Sequence, residues 1–245
     1  MEKKTMLNKE AKIFSTPKTF FTPTMRVESP QHNETAKPFF GPSTLIQRNS
    51  NLFPRTTENI SGQRSTDNRF IHCDDKNKSL IQDAFNQAII QVSAAISRLN
   101  NAIIDIDKKS PTDATTTFLL KYYFKTIKKN DLQFILSKFI ALDNQMVTGL
   151  KFKCTQDPIS CLDTGGYVNR IRFTPIRLGP IHICVDNFKN ETFNDRIKII
   201  IHEASHRYIK ASDFGYFGID AAKLTGHPEK AIRNADSYAM FALNS

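Results

Sequence analysis

The chain has 245 residues, 40% of them hydrophobic, and a formal net charge of +10. That length can bury one sizeable core and carry an appendage, and no apolar run approaches the ~18 residues that a membrane-spanning helix needs. The positive charge permits an anionic partner. The basic residues are scattered, however, and no stacking aromatics punctuate them, so a non-catalytic domain that binds nucleic acid is the weaker of two classes of function.

Residues 1–69 hold 11 Lys or Arg against 6 Asp or Glu and are rich in Thr, Ser, Asn and Pro. No helical or strand period is sustained there, so the segment cannot offset its own ordering entropy, and a disordered basic leader is predicted. Its first residues are charged and contain no unbroken apolar stretch, so no ordinary signal peptide is visible. The folded domain is predicted to run over 70–245. Ile81, Phe85, Ile89, Val92, Ile96, Leu99, Ile103 and Ile106 are spaced by steps of three and four, which predicts a long amphipathic helix over 79–106. Lys76 to Ser79 supply its start and Ser110-Pro111 its stop. Two further helices are predicted over 115–128 and 131–142. After Gly149 the pattern alternates, over 150–154, 166–173 and, following a Gly179-Pro180 turn, 181–185. An α+β fold follows, mostly helical, with a small and mainly antiparallel sheet. Cys73, Cys154, Cys161 and Cys184 allow three pairings and fit no zinc-knuckle spacing, four buried thiols being the alternative.

Chemistry concentrates in 197–216, IKIIIHEASHRYIKASDFGY. His202 and His206, four apart, share one helical face, so both imidazoles can reach a single Zn2+. Glu203 beside them is the residue type that takes a proton from the attacking water in H-E-x-x-H hydrolases. The site needs a third ligand. Asp213 is the candidate, because Ser212, Asp213 and Gly215 are turn formers that can double the chain back after the helix ends near Lys210. In zinc endopeptidases an edge strand commonly receives the substrate backbone, which makes 166–171, with Gly166 and Tyr167, a candidate substrate edge.

HEASH, then SDFGYFG, then AAKLTGHPEKAIRNADSYAMFA resembles the deuterolysin and peptidyl-Lys metalloendopeptidase family, the aspzincins. The resemblance implies a zincin-like domain holding one Zn2+ through His202, His206 and Asp213, with Glu203 as base and Tyr216 stabilising the oxyanion. Lys210-Ala211 stand where the family has Gly-Thr, and Phe217 replaces the Gly after the Tyr. It also implies the pairings Cys73 with Cys154 and Cys161 with Cys184. Within a predicted terminal helix over 229–243, Asn234-Ala235-Asp236 matches the family's N-A-D, where the aspartate of lysine-specific members lines the pocket for the residue after the cut. A second acid can follow three residues on; here that position is Ala239. The implied reaction is hydrolysis of protein substrates on the amino side of lysine, the alternative being a broad deuterolysin-like specificity. Residues 37–48, KPFFGPSTLIQR, are similar to a segment ahead of toxin domains carried by extracellular contractile injection systems. That likeness implies a delivered effector, loaded into an injection particle through the leader and active outside the producing cell.

Overall fold

The computed structural model describes residues 68–170 and 177–245. The predicted leader up to residue 67, with its 37–48 segment, lies outside them, as do residues 171–176 of the predicted substrate edge.

The described chain opens with a two-residue strand β1, Phe70–Ile71, and the long helix α1, Asp75–Asp107. Its cap is Asp74, whose carboxylate accepts the Asn77 N–H at 2.7 Å, seven residues before the apolar period begins at Ile81. The buried stripe alternates large and small, with Ile81, Phe85, Val92 and Leu99 set among Ala84, Ala88, Ala95 and Ala102. The alanines let neighbouring helices approach closely, and the whole face is core, as predicted. Where one helix is predicted over 115–128, the chain instead forms α2, Ala114–Leu119, then a π-helical turn, Leu120–Phe124, and stops at Lys125, whose φ of 58° is left-handed. Helix α3, Lys129–Gly149, is longer than predicted and packs Leu132, Ile135, Phe139, Leu142 and Met146 against α1.

Strands β2 (Phe152–Thr155), β3 (Gly166–Arg170) and β4 (Arg177–Cys184) complete a four-stranded sheet in the order β1-β2-β4-β3. β1 with β2 and β2 with β4 are parallel, and only β3 with β4 is antiparallel. The expected mainly antiparallel sheet is therefore corrected to a mixed one. The connections explain the difference: β1 and β2 are joined through three helices and β2 and β4 through a long loop and β3, so each pair can run in the same direction. The six residues between β3 and β4 leave only an antiparallel return. The expected Gly179-Pro180 turn lies inside β4, where one residue of β3, Asn169 between Val168 and Arg170, faces three of β4, Leu178 to Pro180 between Arg177 and Ile181. That bulge absorbs the positive φ of Gly179 and the N–H that Pro180 lacks.

Helix α4, Val185–Asn190, leads into α5, Phe193–Tyr208, which lies across α1 and α7 and against β3 and β4. Thr192 caps α5, accepting the Asp195 N–H at 3.2 Å. The predicted terminal helix is two: α6, Pro228–Ala231, and α7, Ala235–Leu243. Tyr238 and Phe241 of α7 pack edge-on or tilted on Phe124 and Phe139, closing the helical core. Both pairings implied by the family resemblance are present, Cys73–Cys154 across 81 residues and Cys161–Cys184 across 23. Each closed loop stabilises the fold by about 3 to 4 kcal/mol. Among the described residues no helix is long and apolar enough to cross a membrane.

Candidate metal centre and active site

Ile197, Ile200, Ile201 and Ala204 bury one face of α5 in the core, which fixes the rotation of the helix and with it the direction of His202 and His206. Their Nε2 atoms are 3.0 Å apart. Asp213 comes from the loop after α5, and its Oδ1 lies 3.1 Å from His202 Nε2 and 2.9 Å from His206 Nε2. Three donors so close to one another suit ligands at about 2.1 Å from one ion, and two imidazoles with one carboxylate are a zinc donor set. Glu203 Oε1 stands farther off, 4.0 Å from His202 Nε2, and its Oε2 is buried without a hydrogen-bond partner. An orphaned carboxylate oxygen beside such a triangle is where a reacting water would find its acceptor. His202, His206 and Asp213 thus fit a zinc ion; Glu203 also lies within 4.8 Å of both imidazoles, but it stands farther from His202 Nε2 than Asp213 does.

The second nitrogens are also engaged. His206 Nδ1–H donates to the Ala211 carbonyl at 2.8 Å, which leaves Nε2 with its lone pair toward the ligand triangle. His202 Nδ1 faces Asp236 Oδ1 at 3.6 Å, an ion-pair distance but too long for a hydrogen bond. Asp213 Oδ2 is held by Arg177 Nη2 at 3.2 Å. Burial lowers the pKa of His202, but the nearby carboxylates of Asp213, Asp236 and Glu203 outweigh it and raise the group to about 9. Burial works against ionisation of Asp213, yet the two imidazoles hold it well below the usual carboxylate range. Burial pushes Glu203 upward, against the pull of His202 and His206.

Tyr216 stacks on the His202 ring at 5.6 Å between centroids and is 37% exposed. Burial and the Asp213 carboxylate raise its phenol above the ordinary tyrosine range, so it is a hydrogen-bond donor throughout the physiological range. Gly166 lies where β3 meets α5: a Cβ there would stand 3.0 Å from Ile199 Cγ2 and 3.1 Å from the His182 carbonyl oxygen, and 3.6 Å from Glu203 Cγ. On neighbouring Gly165 a Cβ would come within 2.4 Å of Ile199 Cδ1. Tyr167 stacks on His182 instead, at 4.6 Å.

Asp236 is completely buried at the start of α7. Its Oδ2 accepts the Phe217 N–H at 2.7 Å, and Lys198 Nζ lies 3.0 Å from Oδ1. Asn234, also fully buried, accepts the Phe214 and Gly215 N–H groups through Oδ1 and donates through Nδ2 to the Gly215 carbonyl. Asp220 Oδ1 accepts the Tyr216 N–H. The loop that carries Asp213 and Tyr216 is therefore shaped by side chains that sequence reasoning did not assign to it. Arg177, Lys198 and Asp220 have no place in the site expected from the sequence, and Asn234 has none beyond its membership of the N-A-D triplet. Lys198 carries a signal in its position four residues before His202 on the same helical face.

Residues 109–243 match the family model described as lysine-specific metallo-endopeptidase, the aspzincin family. Among solved structures, a zinc peptidase from Grifola frondosa is similar, with a TM-score of 0.54 and 22% identity over 70% of this chain and 97% of that one. No curated protein sequence matches. A fold shared along nearly the whole of that peptidase, with a family match over more than half of this chain, places this chain in the aspzincin family of metallo-endopeptidases.

Proposed function

We propose that the protein is a zinc-dependent endopeptidase that cleaves protein substrates at the centre formed by His202, His206 and Asp213. The observation that carries this reading is the meeting of those three donors, each about 3 Å from the next, beside the unpartnered Oε2 of Glu203. Zinc, when bound, supplies Lewis-acid activation of water and of the scissile carbonyl. Glu203 accepts the proton as the water oxygen bonds to the carbonyl carbon, and delivers it to the amine nitrogen as the C–N bond breaks. A raised Glu203 pKa suits both halves of that transfer. The Tyr216 hydroxyl donates to the oxygen that gains negative charge, and β3, at the edge of the sheet beside α5, offers Gly166 and Tyr167 to the substrate backbone. The ion pair between Lys198 and Asp236 favours a broad specificity over strict cleavage before lysine.

Zinc content per chain and digestion of casein test the reading together. One zinc and digestion are expected for the wild type, and one zinc without digestion for Glu203→Gln. Digestion by a zinc-replete Glu203→Gln protein overturns it, and so does a wild type that binds no zinc.

The likeness of residues 37–48 to injection-system cargo supports a delivered effector. Deleting residues 1–67 is then expected to abolish packaging into a particle while leaving casein digestion by the purified protein in place.

A further inference from the structure

A site that selects lysine needs a carboxylate that stays unpaired until the substrate ammonium arrives, because a neutral side chain then leaves a buried charge unmatched. Each described acid around this centre is already in use. Asp213 faces two imidazoles and Arg177. Asp220 holds the Tyr216 N–H and, at 2.5 Å, the Lys223 ammonium. Glu203 is the base. Asp236 is the remaining carboxylate, and it takes Lys198 at 3.0 Å. Lys198 stands one helical turn before His202 on α5, so its side chain follows the same face as the ligands. Its side chain is 24% exposed while that of Asp236 is 1% exposed, so Lys198 is the group of the pair that meets solvent.

We propose that Lys198, by pairing with Asp236, leaves no carboxylate among the described acids around the centre free to receive a substrate ammonium, and that this peptidase consequently cuts without requiring lysine after the scissile bond. The proposal rests on the endopeptidase reading above. An incoming lysine would have to displace an equal charge that is tethered to the same helix and never leaves at a high local concentration. Lys198 is thus a specificity-determining residue: it balances the charge of Asp236, whose Oδ1 has an ion-pair partner and no hydrogen bond, keeps that carboxylate beside His202, and removes the penalty that would otherwise exclude neutral side chains.

The test is the distribution of residues after the cut in a denatured protein mixture, for the zinc-loaded full chain. Lysine is expected after the cut no more often than its abundance in the mixture for the wild type. In Lys198→Met, lysine is expected to be enriched roughly tenfold, within the range one pocket contact discriminates, and in Lys198→Met with Asp236→Asn the enrichment is expected to vanish. Strong lysine preference in the wild type overturns the proposal even if no variant folds, and so does a Lys198→Met profile identical to the wild type. A second measurement needs no catalysis. n-Butylammonium, the side chain of lysine without its backbone, is expected to raise the Tm of Lys198→Ala and not that of the wild type. Equal response of the two proteins overturns the proposal. A wild type that cleaves nothing while the butylammonium difference appears would instead remove the endopeptidase reading and leave the masking of Asp236 by Lys198 standing.

Discussion

Helix α5 and the loop that follows it contribute to one centre but are held by opposite means. The helix orders His202 and His206 through its own backbone ladder, its Thr192 cap and a buried isoleucine face. The loop from Ile209 to Asp220 has little regular structure and takes its shape from polar side chains that arrive some twenty residues later, Asn234 and Asp236. Two of the proposed ligands are therefore placed by periodicity and the third by a long-range hydrogen-bond network. The family's Asn-Ala-Asp triplet belongs to that network as much as to any pocket.

The sharpest way to break this division is Asp213→Ala. It removes the loop's ligand while leaving the helix intact, and is expected to lose zinc and to lower kcat/KM by more than about 100-fold, beyond what loss of an outer partner costs. Metal content by atomic emission and unchanged helical circular dichroism check it. Asn234→Ala attacks the same loop from the other end. Three backbone groups lose their partner in the interior, so stability should fall by about 3 kcal/mol, and Asp213 and Tyr216 should lose their placement, with activity falling about 100-fold or less. Urea unfolding and kinetics, measured together, decide whether the loop is held as described.

A pH experiment joins the two halves. Because loop and α7 carboxylates raise His202 on the helix to about 9, the metal-free protein keeps that imidazole protonated at pH 7. Zinc requires it neutral, so binding should release a proton, and affinity should weaken by about tenfold for each pH unit below 9. The raised pKa gives the sign: proton competition is strongest at low pH and fades above about 9. Titration calorimetry in buffers of different ionisation enthalpy measures the proton count. The smallest effect is expected for Thr192→Ala, which strips the cap from α5. It should cost about 1 kcal/mol of stability and leave zinc content unchanged, since the buried face holds the helix in place without it.

What could be read from the sequence follows the same division. The spacing of Ile81, Phe85 and Val92 revealed α1, and the four-residue step from His202 to His206 revealed the ligand pair, because a local period carries both. The parallel pairing of β2 with β4 was not readable, since it depends on where β3 is inserted and not on any alternation within the strands. Nor was the break at residues 232–234 in the predicted terminal helix. Asn234 gives its side chain to the Asp213 loop, and the Tyr238 hydroxyl takes the Ile232 carbonyl at 2.7 Å, so tertiary partners end a segment whose composition is helical. The engagement of Asp236 was hidden for the same reason. Lys198 and Asp236 are 38 positions apart, and nothing in either neighbourhood announces the other.

Gly165 and Gly166 bring β3 against α5 with Ile199 filling the space where their side chains would be. Strand and helix therefore meet with a single side chain, Ile199, between them at this point. A peptide laid along β3 would arrive at one height above Glu203 whatever its own side chains, as a sheet of paper lies at one height on a bare table. The spacing of strand and helix is set by the main chain of β3 and one isoleucine of α5, so widening it takes movement of a whole element, and substitutions farther out can change which side chains are accepted without changing where the bond is presented.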